Sequence, residues 1–222
     1  MTDMPKAKAS AEISDAAVLN GTADELYYFA YGSNMSKEQI SARCAKPKVI
    51  AVARLADYRL AFFGYSATWD GGEETVIPAP GRDVWGVVYQ LSSSDRDRLD
   101  DAQDARLDGS GSYFHFPANV TGQDGKVYPV LLFKKDSLGS SQKPSQEYLN
   151  FIVEGAVSNG LAADYVETLR TMESKKAAYV VPRQKKSARE FTAVSDCSKC
   201  GDSAATSPSS VVNISLGSGD NS

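Results

Sequence analysis

The sequence predicts an α+β fold. Strand-like runs, rich in aromatic and β-branched residues, come first, and the clearest helical patterns come late, after residue 144. The two kinds of segment do not alternate in the βαβ rhythm that builds a parallel sheet. With 222 residues, 42% hydrophobic and 23% charged, the chain can bury one sizeable core and still carry tails.

The elements are expected in the following order. Residues 1–23 hold Ala, Ser, Asp and Lys without a sustained apolar period, and read as a disordered tail. The domain proper is expected over 24–190. Its first strand takes in Leu26 to Phe29, and a helix follows from Ser36 to Cys44, with Pro47 just beyond its stop. Two strands are expected next, Val49 to Leu55 and Tyr58 to Phe63. Gly64 to Glu74, with Trp69, Gly71 and Gly72, reads as a loop or the mouth of a site. Thr75 to Ile77 is a short strand cut by Pro78 and Pro80, and Val84 to Leu91 is a buried strand.

Ser92 to Ser94 then cap a polar, acidic helix that Gly109 to Ser112 end. Tyr113 to Val120 and Lys126 to Lys134 form a hairpin around Asp124-Gly125. Ser145 to Asn159 is a helix with Tyr148, Ile152 and Ala156 on one face and Gly160 after it; Ala162 to Met172 is a second. Lys175 to Arg189 is basic, with Ala177 to Val181 as a further edge strand. Residues 191–222 are a second disordered tail, rich in Ser and Gly.

Composition excludes some function classes. The net charge is −4 and the pI about 5.1, unlike the basic footprint of a nucleic-acid binder. No apolar run reaches the length of a membrane span, and the first twenty residues lack the apolar core of a signal peptide. The expectation is a cytoplasmic protein without nucleic-acid or membrane partners. Of three cysteines, Cys44 is isolated, while Cys197 and Cys200 form C-S-K-C in the second tail. With one histidine, His115, and no second CxxC, that pair is half a zinc site at most, and no metal is expected.

One stretch carries chemistry. Tyr28 to Met35, YFAYGSNM, passes from packed strand to small-residue turn, and Ser36 with Gln39 three residues on has the spacing of a capping box. A strand, tight turn and helix start expose backbone N–H groups that suit a carboxylate, phosphate or developing oxyanion. Small polar residues also make ordinary turns. Likewise Tyr113 and Tyr148 read by themselves as core aromatics, and Asp100, Asp101 and Asp104 as a solvated helix face.

The eight-residue string resembles the signature of the γ-glutamyl cyclotransferase superfamily, and VARLADYRLAF, WDGGEETVIPAPGRDVWGVVYQL, LDDAQDA, GSY and PSQEYLNFIVEGAVSNGLAADYVETL follow in the order of its γ-glutamylcyclotransferase branch. The resemblance covers Tyr27 to Met172. It implies a small mixed β-barrel flanked by helices. It also implies a lyase reaction in which the α-amine of a γ-glutamyl amide attacks its own γ-carbonyl, giving 5-oxoproline and a free amine without cofactor. The implied ligand-binding residues are Tyr28, Phe29, Ala30, Tyr31, Gly32, Ser33 and Asn34 of the loop, with Tyr113 and Tyr148. The implied partner is a small γ-glutamyl molecule: a γ-glutamyl amino acid, glutathione or a glutathione adduct. A homodimer is the assembly kept in view.

The resemblance departs at one position. The family's general base is the Glu of a Leu-Asp-x-x-Glu motif, and here Leu99-Asp100-Asp101-Ala102 is followed by Gln103. An amide keeps the shape of a carboxylate but does not accept a proton near pH 7. Three readings stay open: an engineered Glu-to-Gln change that traps substrate, a non-catalytic γ-glutamyl-binding pseudoenzyme, or a register slipped by one so that Asp104 is the base. The stretch from Gln103 to Tyr113 is also longer than in short members. Together with the tails, it is compatible with fungal secondary-metabolite members that trim glutathionylated dioxopiperazines on the way to gliotoxin-type products.

Overall fold

A closed barrel organises the computed structural model, which describes residues 25–106 and 108–183. Both tails, and with them Cys197 and Cys200, lie outside the described residues. The strands are β1 (Glu25–Ala30), β2 (Lys48–Ser66), β3 (Gly71–Ser92), β4 (Phe114–Gly122) and β5 (Val127–Lys134), hydrogen-bonded in the order β1-β3-β2-β4-β5. Neighbours are antiparallel except at the seam, where β5 meets β1 in parallel at Tyr28 and Leu131. Four helices pack around this frame: α1 (Lys37–Arg43), α2 (Ser93–Gln103), α3 (Gln146–Ser158) and α4 (Ala163–Arg170). The mixed barrel with helices is the α+β fold that the sequence predicts.

The two central strands differ from their expectation. The segments expected as separate strands at Val49 and Tyr58 are one 19-residue strand, β2, bent by register shifts at Val49/Ala51, Ala56/Tyr58 and Phe63/Ser66. The second shift uses Asp57 at φ +62, whose carboxylate accepts the Gly81 N–H at 2.8 Å. Strand β3 likewise runs 22 residues through Pro78 and Pro80. Its pairing with β1 reaches only to Val87, so the outer half of β3 has β2 as its one partner strand among the described residues. A proline there loses no second ladder, which is why the two prolines do not cut the strand. Gly71 and Gly72 open β3 instead of lying in a loop. A Cβ on Gly72 would come within 2.6 Å of the Gln142 carbonyl, so small residues are needed for that crossing.

The helices follow the sequence reading more closely. Ser92, Ser145 and Ser36 cap α2, α3 and α1 through their hydroxyls, and Asn159 closes α3 before Gly160 turns left-handed at φ +71. Helix α2 stops at Gln103, short of the Gly109–Ser112 end expected for it, because Asp104 adopts a left-handed conformation. Residues 177–181 are not a strand. Lys175 makes a single bridge to Ser145, and acidic side chains take the next N–H groups: Glu147 that of Ala177 at 3.0 Å and Asp70 that of Ala178 at 2.6 Å.

One buried charge fixes α2 against α1. Asp95, 1% exposed, accepts the Ala45 N–H at 2.7 Å and the Lys46 N–H at 3.4 Å. Burial raises its pKa, but these N–H groups and the Ser92 hydroxyl outweigh that and leave it below the ordinary carboxylate value. A depressed folded pKa stabilises above the unfolded value of about 3.9, and the contribution is lost as pH falls through the folded value. Asp95→Ala is therefore expected to cost about 1.5–3 kcal/mol at pH 7, the range for hydrogen bonds to a charged group. Urea unfolding of both proteins at neutral and acid pH checks this: the gap should shrink in acid.

Candidate active site

The chain leaves β1 at Ala30 and turns through a 3-10 segment, Ser33–Met35, before Ser36 caps α1. The turn closes with Met35 N–H on Gly32 O at 3.0 Å and Ser36 N–H on Ser33 O at 3.1 Å. The N–H groups of Gly32 and Ser33 are not spent on these bonds. The capping box is only half formed. Ser36 Oγ accepts the Gln39 N–H at 3.4 Å, but the Gln39 side chain donates to Ser33 Oγ at 2.7 Å instead of returning to Ser36.

The expected loop residues divide by what they can offer. Phe29 and Ala30 are wholly buried in the barrel core, so only their backbone is available. The Tyr31 hydroxyl donates to the Phe133 carbonyl. Asn34 donates through Nδ2 to the Tyr28 hydroxyl at 2.9 Å and accepts at Oδ1 from Arg43 at 2.6 Å. Arg43, in the last turn of α1, also donates to Gln103 Oε1 at 3.2 Å. Gln103 is thus joined to the signature loop through one guanidinium. Helix α2 can present it there because Asp95 anchors the helix start beside the end of α1.

Tyr113 and Tyr148 meet at a residue that sequence reasoning missed. Glu74 of β3 is buried, with 6% of its surface exposed. The Tyr148 hydroxyl donates to its Oε2, and the Tyr113 hydroxyl donates to its backbone carbonyl at 2.8 Å. Trp69 stacks on Tyr148 with ring centroids 4.3 Å apart and 21° between planes, holding that ring in place. Gly32 lies directly against the carboxylate: a Cβ there would fall 2.6 Å from Glu74 Cγ and 2.8 Å from its carboxyl carbon. Glu74, Gly32, Tyr113 and Tyr148 therefore form one buried cluster behind the loop.

Burial raises the Glu74 pKa above the ordinary carboxylate value, opposed by the Tyr148 hydroxyl and more weakly by the Arg43 charge. Burial, reinforced by Glu74, holds the Tyr31, Tyr113 and Tyr148 hydroxyls well above the ordinary phenol value, so all three are protonated donors. Neighbouring Glu73 is paired differently: Lys135 Nζ binds it at 2.5 Å and lies over the Tyr113 ring. Glu74 makes no salt bridge among the described residues.

The other acidic candidates are engaged elsewhere. Asp104 accepts from Arg106 at 3.0 Å and from the Ser112 N–H and hydroxyl at 3.1 Å each, bracing the loop after α2. Asp100 pairs with His115 at 2.7 Å, and Asp101 is exposed. One signal pointed to Glu74: on a strand it shares a face with the apolar Val76 two residues on. Reading Gly64 to Glu74 as a loop hid that relation, and Thr75, buried as well, blurs the alternation. Arg43 carried no comparable signal, since a basic residue in a last helical turn is common.

Comparison with known proteins places this arrangement. Residues 83–169 match the model of the AIG2-like family. The γ-glutamylcyclotransferase of Homo sapiens is 35% identical over 154 residues, covering 68% of this chain and 80% of that protein. The Bos taurus γ-glutamylcyclotransferase is 34% identical with the same coverage. A solved γ-glutamyl cyclotransferase structure superposes with a TM-score of 0.66 at 34% identity, covering 71% of this chain and 94% of its own. The barrel, the loop after its first strand and the identity over most of the relatives' length agree: this chain belongs to the γ-glutamylcyclotransferase family.

Proposed function

We propose that this protein is a γ-glutamylcyclotransferase that cyclises the γ-glutamyl group of a small amide to 5-oxoproline and releases an amine. The observation that supports the reading is that the Gly32 loop meets two buried tyrosines at Glu74 and is joined to Gln103 through Arg43, in a chain of this family. A γ-glutamyl head carries a carboxylate, an ammonium and a carbonyl that becomes an oxyanion during attack. The spare loop N–H groups suit the carboxylate or the oxyanion, and donors fixed before the reaction stabilise charge without reorganisation. Tyr148, stacked on Trp69, and Tyr113 give walls against which the glutamyl chain can fold so that its amine reaches its own carbonyl.

Gln103 stands where the family carries its general base, and there it can orient a ligand through hydrogen bonds without moving a proton. The leaving group is an amino acid, the remainder of glutathione, or a glutathione adduct. A hollow of about 180 Å³ lined by Ala105, Arg106, Phe114 and His115 lies beside the long loop after Gln103, in keeping with a bulky leaving group. No helix among the described residues is long and apolar enough to cross a membrane, in keeping with action on a dissolved substrate. Gln103 also favours a second reading, a γ-glutamyl-binding protein without turnover.

Incubation with γ-glutamyl amino acids, glutathione and glutathione S-conjugates, with 5-oxoproline measured directly, separates the two. Release is expected; saturable binding with no release from any of these compounds would leave the binding reading. Gly32→Val is expected to abolish binding while the protein stays folded by circular dichroism, because the added carbons occupy the space of the Glu74 carboxyl group. Normal calorimetric affinity in that variant would remove the loop from the site.

A further inference from the structure

Cyclisation requires proton traffic. The α-nitrogen enters as an ammonium with three protons and ends as a lactam N–H with one. The expelled nitrogen enters as an amide N–H and leaves as an ammonium. Two protons must therefore cross from one nitrogen to the other, and Gln103 can carry neither.

We propose that Glu74 is the proton carrier of this chain, a catalytic carboxylate supplied from β3 in place of one at the end of α2. The inference rests on the cyclotransferase reading and adds the residue that performs its acid–base step. Glu74 is the buried carboxylate that touches the signature loop, and its two oxygens differ. Oε2 is held by the Tyr148 hydroxyl, while Oε1 lies against Gly32 of the signature loop. The nearby acids are engaged otherwise: Glu73 with Lys135, Asp100 with His115, Asp104 with Arg106 and Ser112, and Asp70 with Tyr65 and the Ala178 N–H. A carboxylate buried without a paired cation is costly. A bound ammonium would supply the partner this carboxylate lacks among the described residues.

The step balances as follows. Ionised Glu74 takes a proton from the substrate ammonium, and the freed amine attacks the γ-carbonyl carbon, forming the ring C–N bond and an oxyanion. As the oxyanion collapses, the exocyclic C–N bond breaks, and Glu74 delivers its proton to the departing nitrogen. The ring nitrogen loses its second proton to the carboxylate, which passes it to the same leaving amine. The carboxylate finishes as it began, and no oxidant, reductant or metal is consumed. Burial favours this role, because a base works best when its pKa lies near the working pH. The groups that set that balance are Arg43 and the Tyr148 hydroxyl, which favour the ionised form, and Glu73, which opposes it; the Tyr31 and Tyr113 hydroxyls nearby remain neutral.

The test compares the unaltered chain with Glu74→Gln, Glu74→Asp, Gln103→Glu and the Glu74→Gln/Gln103→Glu double variant. For each, 5-oxoproline release and calorimetric binding of a γ-glutamyl compound are measured. Glu74→Gln is expected to lower kcat by about 10²–10⁴-fold, the usual worth of a positioned acid–base group, with binding weakened by loss of the ammonium's partner but still saturable as proof of a folded site. Glu74→Asp, with its carboxylate drawn back by one methylene, should fall between the two. The double variant should recover turnover, since a carboxylate returns at the end of α2. Undiminished kcat in Glu74→Gln overturns the role of Glu74 and leaves the cyclotransferase reading intact. Release by Gln103→Glu from an otherwise silent chain overturns it too, and marks Gln103 as an inactivating residue. Absence of both binding and release in every variant overturns the cyclotransferase reading itself.

Discussion

Pairing of β1 on both edges is the constraint on which the site depends. With β3 on one side and the parallel seam to β5 on the other, Tyr28 to Ala30 have no freedom to shift along the barrel. The turn that follows is consequently delivered to one height over β3. A slip of one residue would send each side chain of β1 to the opposite face, exchanging the surroundings of Tyr28 and Phe29, both of which are buried. Gly32 could then no longer lie on the Glu74 carboxylate. The helices complete the placement: α3 crosses so close to the loop that a Cβ on Gly155 would come within 3.0 Å of the Ser36 nitrogen and 3.1 Å of Met35 Cβ. Barrel closure and helix crossing thus hold the loop from opposite sides.

Legibility followed the range of the interaction. Helix α3 was readable almost to the residue, because its cap at Ser145, its apolar face and Gly160 are all local signals. The hairpin at Asp124-Gly125 was readable for the same reason. Strands β2 and β3 were broken into pieces, because Asp57, Gly64, Pro78 and Pro80 look like punctuation until the missing neighbour on the outer ladder is known. Ala177 to Val181 resembled a strand, yet its neighbouring N–H groups are taken by carboxylates from distant parts of the chain. The signature loop and the two tyrosines were singled out by the resemblance, and the fold brings Gly32 and both tyrosines to Glu74. Glu74 was not, since its importance comes from Tyr148, 74 residues away, and from a glycine on another strand's end.

The two faces of the site divide the labour of charge in a way a sequence motif cannot display. Arg43 supplies the positive side and is shared between Asn34 and Gln103, both neutral. The negative side is Glu74, approached from β3. A motif written around the end of α2 records one position next to the signature loop, whereas β3 brings a carboxyl group to that loop from another element. Exchange of a charged for a neutral side chain at one place can therefore accompany the reverse exchange at another without change of fold.

The segment after α4 has a bearing on where this domain ends. The AIG2-like match stops at residue 169, but the chain beyond it returns across the barrel. Lys175 bridges Ser145, Ala178 donates to Asp70, and Arg183 donates through its N–H to Thr68 O at 2.8 Å. Asp70 is the residue after Trp69, whose indole presses on Tyr148. The last residues described thus act as a strap over the Thr68–Asp70 turn, next to the stack of Trp69 on Tyr148. A protein cut at the C-terminal edge of the family match would keep every strand and all but the last residue of α4, yet lose that fastening. The fastened unit reaches past the last residue that the family match includes.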